Sequence, residues 1–240
     1  ADRADFYAEP FELRVHDLRP GRRDTTATVS LTLVTSIAPD LYDAVLVMVP
    51  GRSLADVLPV LDGAGTDVPV VLMLNHWNLA GALGGSSEPR ANRLLGFPSQ
   101  VGGGRQGHRL SVTVFPRGTV LEAGTASKKA ALDKAEALLA SGGLTIRRQR
   151  RMPDWLAVHS MQQALTAAPL SEAGSYRAFA ADRAAITRMV AAFREGLDVC
   201  RARGIRTWRL WPAPLFKLPK PLVARLMQGM FQQAETEAMV

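Results

Sequence analysis

Two apolar runs with a helical stretch between them, residues 43–49 and 68–74, constrain this chain more than any other feature. Both are rich in Val and nearly continuous, the pattern of strands buried on both faces in a parallel sheet. Pro50-Gly51 breaks the first run. Ser53 stands where it would cap a helix, and Leu54, Val57, Leu58 and Leu61 follow at helical spacing. Gly63 and Gly65 would end that helix before the second run begins. Strand, helix and strand joined in this way form a right-handed βαβ unit. Ligands of open parallel sheets lie beyond the carboxyl ends of the strands. That rule directs attention to Gly51, Arg52 and Ser53 after the first strand, and to Asn75 and His76 after the second.

The rest of the chain divides by periodicity. Residues 12–18 and 26–35 alternate apolar and polar side chains around the turn Pro20-Gly21, so they predict a hairpin-like pair. Further strands are expected over 93–97, 108–115, 119–122 and 144–149, with an amphipathic helix over 127–139 stopped by Gly142-Gly143. Residues 79–88 are too rich in Gly, Ala and Ser to favour either state. From Met152-Pro153 onward helical spacing takes over, over 154–168, then 176–203 closed by Gly204, and last 222–240. A proline-punctuated loop carrying Trp208, Trp211 and Phe216 precedes that last helix. The expected fold class is therefore α/β, with a Rossmann-like parallel-sheet domain over 1–151 and an all-helical domain over 152–240. At 240 residues, nearly half of them apolar, the chain can build both cores.

Composition narrows the function. No apolar run reaches the roughly 20 residues that a bilayer crossing needs. A single cysteine, Cys200, rules out an internal disulfide framework and a cysteine-based zinc site, and fits a reducing cytoplasm. The net charge of +7 is mostly arginine, densest at Arg147, Arg148, Arg150 and Arg151. This patch reads first as a solvated strand end, then as a site for an anionic ligand. Nucleic acid ranks last, since no aromatics interleave with the basic residues.

Among motifs, Gly102 to Gly107 spells G-x-G-x-x-G, but a strand follows it where the dinucleotide fingerprint needs a helix. It reads as a flexible loop. If this is a dinucleotide domain, its first strand, glycine turn and helix are expected upstream of Ala1, and the chain reads as the interior of a longer polypeptide. Asn75 offers a donor and an acceptor at a strand end, where it could hold a ring or ribose or merely shape the turn. Arg52 could grip a phosphate or simply be a solvated turn residue. On the helix opened by Pro153, Trp155, His159 and Gln163 share one face, and Gln162 lies at i+3 from His159. An imidazole on such a stripe could protonate a carbonyl oxygen. His76 is the second candidate, whereas His16 and His108 are expected to face solvent from strands. No H-E-x-x-H, paired-carboxylate spacing or G-x-S-x-G elbow supports a metal or serine-hydrolase site.

Together, YDAVLVMVPGRSLADVLPVL, VVLMLNHW, LLGFPSQVGGG and DWLAVH resemble the ketopantoate reductase (2-dehydropantoate 2-reductase) family, over most of the chain. The resemblance implies a Rossmann domain binding NADP(H), a helical domain, and hydride transfer to a small-molecule 2-keto acid in the cleft between them. It implies a cofactor and substrate contact for Asn75, with a homodimer as the candidate assembly. The family's phosphate-facing Lys position is Pro50 here, with Arg52 close by. The family's helix reads roughly W-x-K-x-x-x-N. Trp155 matches, but Ala157 stands at the position of the Lys that the resemblance implies as proton donor, Met161 at that of the Asn, and Leu165 at that of a further Asn. His159 lies about 200° around the helix from Ala157, so it is not a substitute on the same face. The residues near Glu235 and Glu237 resemble the region of the family's substrate-binding Glu. Three functions follow: a divergent reductase with His159 as acid, a non-catalytic cofactor-binding or assembly protein on the same scaffold, or another Rossmann-like enzyme such as a methyltransferase.

Overall fold

In this computed structural model, which describes residues 3–38, 41–61, 67–79, 83 and 90–232, the chain divides into two compact units. One comprises Ala1–Leu74 with Ala82–Arg150, the other Asn75–Gly81 with Arg151–Val240. In the first, α1 (Arg3–Ala8) leads into β1 (Phe11–Asp17), which pairs antiparallel with β2 (Thr25–Val29). The expected hairpin is there, but β2 stops at Val29. Leu31, Leu33 and Val34 continue the alternation as exposed side chains, because no partner strand extends past Phe11 to hold them.

The βαβ unit forms as β3 (Val45–Val47), a 3-10 turn over Gly51–Ser53, α2 (Leu54–Leu61) and β4 (Val70–Met73), with Val45 opposite Val70 in parallel register. Ser53 lies inside the 3-10 turn that runs directly into α2, not at a helix N-cap. Gly63 and Gly65 fall outside the described residues. Only β4 is buried on both faces as expected. β3 is the outermost strand of its sheet, so Leu46 and Met48 stay 43% and 60% exposed.

The following strands are β5 (Arg93–Phe97), β6 (Val101–Gln106), β7 (Arg109–Val114) and β8 (Thr119–Glu122). After them come α3 (Lys129–Ser141) and β9 (Ile146–Gln149). The glycine run is a correction: residues 101–106 form β6, antiparallel to β7. Gly103 lies at φ 151° with Ser111 O only 2.1 Å from where a Cβ would stand, so this strand needs glycine to let two backbones meet. His108 is also corrected. It is half-buried, stacked on Phe6 at 4.3 Å and bonded to Phe6 O. His16 does face solvent, hydrogen-bonded to Asp24 through Nδ1.

Two sheets result, ordered β2-β1-β7-β6 and β3-β4-β5-β8-β9. The second is parallel except between β5 and β8. Leu132, Ala135 and Leu139 of α3 cover it, packing on Val71, Met73, Leu94 and Leu121. At the antiparallel step, Glu122 Oε1 accepts from Leu95 N–H and from Lys128 Nζ, and Lys128 Nζ also donates to Arg93 O.

The second unit is helical: α4 (Met152–Ala173), α5 (Tyr176–Ala181), α6 (Arg183–Ala202) and α7 (Lys220–Phe231). The single helix expected over 176–203 is two. Asp182 interrupts it and caps α6, its carboxylate accepting from Ala185 N–H. The helix expected to reach residue 240 ends at Phe231 within the described residues, and Glu235 and Glu237 lie outside them. Gly196 lets α6 approach α4, since a Cβ there would meet Met161 Sδ at 2.3 Å. Among the described residues no helix is long and apolar enough to cross a membrane.

Candidate functional site

Leu74 ends the buried run that contains β4, and the chain turns polar at Asn75. α4 starts with Pro153 in its first turn, where a missing N–H costs nothing. Its first half is buried on several faces through Met152, Trp155, Leu156, Ala157, Val158 and Met161. His159, Ser160 and Gln163 make the polar stripe that remains, and Asn75 meets it. Ser160 Oγ donates to Asn75 Oδ1. Asn75 Nδ2 donates to Gln163 Oε1 at 3.0 Å, and Gln163 Nε2 lies 3.1 Å from His159 Nε2. Trp155 stacks under the imidazole, rings 4.8 Å apart and 7° from parallel.

The directions of these bonds carry chemistry. With Gln163 Oε1 accepting from Asn75, the glutamine turns its amide hydrogens toward His159. In that orientation His159 Nε2 accepts, which leaves Nδ1 as the ring nitrogen that can carry a proton. Protonating Nε2 requires the Gln163 amide to turn over, which requires Asn75 to turn in response and Ser160 to accept instead of donate. Four side chains thus share one hydrogen-bond polarity. Asn75 is exposed, and its amide has the capacity for a further N–H donor bond and a further acceptor bond.

The stripe of Trp155, His159 and Gln163 is assembled with Asn75 as one set. Ser160 was missed by the sequence reading, although a hydroxyl three residues before Gln163 on a polar stripe was a usable signal. Gln162 is half-buried, and its carbonyl accepts from Thr166 Oγ1. His76 Nδ1 accepts from Asn78 N–H at 3.0 Å. Ala157 is only 2% exposed. Met161 fills the space against Gly196, with its sulfur 3.9 Å from Cys200 Sγ. Gly51, Arg52 and Ser53 belong to the other unit, where Arg52 is exposed on the 3-10 turn. Within the basic patch, Arg148 pairs with Glu136 and Arg151 with Asp154.

Neither a family model nor a curated protein matches this sequence. Solved structures do. A D-mandelate dehydrogenase seen with NADH and anilino(oxo)acetate superposes with a TM-score of 0.63 at 16% identity, over 95% of this chain and 69% of its own. A 2-dehydropantoate 2-reductase from Geobacter metallireducens gives 0.62 at 12% identity, over 94% and 72%. A dimeric ketopantoate reductase from Staphylococcus aureus gives 0.58 at 14% identity, over 96% and 71%. At these identities the likeness concerns architecture. The fold of this chain, an α/β domain of Rossmann type with a helical C-terminal region, is ketopantoate reductase-like.

Proposed function

We propose that this chain is a divergent NADP(H)-dependent oxidoreductase that transfers hydride between the nicotinamide and a 2-keto acid or related carbonyl. The observation that carries the reading is the set Ser160–Asn75–Gln163–His159, four polar side chains held in one hydrogen-bonded line where the sequence leaves β4. The neighbours support it by name, being dehydrogenases and reductases, one of them seen with NADH and an oxo acid.

In this reading Asn75 receives the substrate carbonyl with its remaining N–H. In reduction the imidazolium form of His159 gives one ring proton to the carbonyl oxygen as hydride arrives at its carbon. It returns to the neutral ring, whose direction Gln163 sets. Ser160 orients Asn75 without touching substrate. Gln162 and Gln163 are the candidate substrate contacts on α4, and His76 is a further candidate cofactor contact. The donor set after β3 suits a phosphate-bearing cofactor: Gly51, Arg52 and Ser53 form a tight turn that opens into α2, with an exposed guanidinium on it. A glycine fingerprint followed by a helix is not among the residues of this chain, since the glycine run is β6. When bound, the nicotinamide supplies the hydride. We further place the protein in a reducing cytoplasm as a homodimer, the oligomeric state named for the S. aureus reductase.

The rival, a cofactor-binding protein without turnover, draws on Ala157 and Met161, which give the core what the family uses for chemistry. NADPH oxidation by the full-length protein over a panel of 2-keto acids separates the two. Turnover supports the reductase, and tight NADPH binding without turnover supports the rival. Arg52→Glu tests the phosphate assignment: NADPH affinity falls while NADH affinity does not, and an equal effect on both removes Arg52 from that role.

A further inference from the structure

Helix α6 has a second face with no part in the Asn75 set. Arg194, Asp198 and Arg201 project about 140–160° around the helix from Gly196, the residue that packs on Met161 of α4. They line a cavity of about 630 Å³, closed opposite by the segment from Gly204 to Trp208 and by the 3-10 turn at Ala213–Lys217. All of these residues belong to one unit. Among the described residues lining it, four cations, Arg194, Arg201, Arg206 and Lys217, stand with a single carboxylate, Asp198, which pairs with Arg201. The floor is apolar, from Leu197, Ile205, Ala213 and Phe216, with the Trp208 indole at the rim.

Arg194 is held in place at the cavity wall. Its Nη2 donates to Leu218 O, which fixes the guanidinium at the cavity wall. Its Nε is buried with no hydrogen-bond partner among the described residues. Buried charged donors are seldom left unsatisfied; with no exposed surface this Nε is out of a ligand's reach, and Arg194 lends the cavity its charge. Like charges around one concavity repel each other and focus a positive potential into it. An anion relieves that repulsion, and guanidinium groups favour carboxylate and phosphate over other anions. The volume is that of a small-molecule site, and the apolar floor would be wasted on a bare ion.

We infer that this cavity is a binding site for a small amphipathic anion, an apolar body carrying one carboxylate or phosphate, separate from the proposed hydride-transfer site. Trp208 covers the body, and Arg194, Arg206 and Lys217 hold the head. The test is calorimetric titration of the full chain with phenyl phosphate, benzoate and inorganic phosphate. Phenyl phosphate or benzoate binds at about 1 mM or tighter, and the affinity falls as salt rises. The tighter of the two identifies the head. Inorganic phosphate alone binds at least about tenfold more weakly than phenyl phosphate. The double change Arg206→Gln with Lys217→Gln, at two exposed positions, weakens the better probe about tenfold or more with an unchanged melting curve. In the unmodified protein, the same probe also protects Lys217 from reductive methylation. No binding by either aromatic probe, affinity indifferent to the double change, or equal binding of inorganic phosphate would overturn the assignment.

Discussion

Gln163 sits between two groups that make opposite demands on it. Asn75 offers it a donor and His159 offers it a ring nitrogen, so one orientation of its amide serves both only while His159 Nε2 is unprotonated. Gln163→Leu, which keeps bulk and removes the polar link, should therefore lower kcat by about tenfold and change the shape of the pH–rate profile. Ser160→Ala should lower kcat by about threefold to tenfold with little change in KM, because water can replace the hydroxyl but not its direction. Steady-state kinetics over pH check both, and a Ser160→Ala effect confined to KM would place the serine on the substrate instead. Another residue-scale prediction concerns acid. The Arg19 guanidinium grips Asp17 in a two-pronged contact and holds its carboxyl at about 2, from an ordinary 3.8, while also donating to Gly143 O. A depressed carboxylate contributes stability that is complete above its unfolded value and is lost as pH falls from 3.8 toward 2. Arg19→Ala should move the acid-unfolding midpoint upward, read by circular dichroism. Of these residues, Asn75, His159 and Gln163 were legible as types on a strand end and a helix face. That Asn75 reaches that face was not, because a contact across 88 positions has no local signal.

Elements were legible where one period dominated and failed where a single residue decided. β4 and α3 follow their apolar patterns directly. The break at Asp182 hides inside an unbroken helical period, since Asp is tolerated mid-helix unless its carboxylate finds the N–H three residues on. The run at Gly102 misled for the opposite reason. Glycine signals a loop locally, yet here it lets β6 lie close on β7. The antiparallel joint between β5 and β8 rests on Lys128 and Glu122, whose side chains are 11% and 13% exposed. Removing one partner strands the other, so Lys128→Ala should cost about 3 kcal/mol in urea unfolding. Lys128→Met with Glu122→Leu should recover only part of that, because Leu95 N–H then loses its acceptor.

At the scale of the whole molecule, the sequence placed a parallel βαβ unit and a helical C-terminal region in the right order, and the ketopantoate reductase-like fold agrees with both. It did not foresee the separate four-stranded sheet, in which β1 and β7 pair in parallel across nearly a hundred residues. Cys200 reports on the integrity of the helical unit. It is fully buried against Met161, and burial pushes its thiol up. Thiol reagents should modify it only as fast as that unit opens, so labelling rates should track unfolding with denaturant. The proposed hydride transfer centres on Asn75 and His159. Its most direct test follows NADPH oxidation with 2-keto acids for the full-length protein and for His159→Ala. Turnover that falls about a hundredfold or more in the variant, with NADPH affinity preserved, is the expected result. Turnover unchanged by the substitution, or none with any keto acid despite tight NADPH binding, would contradict it.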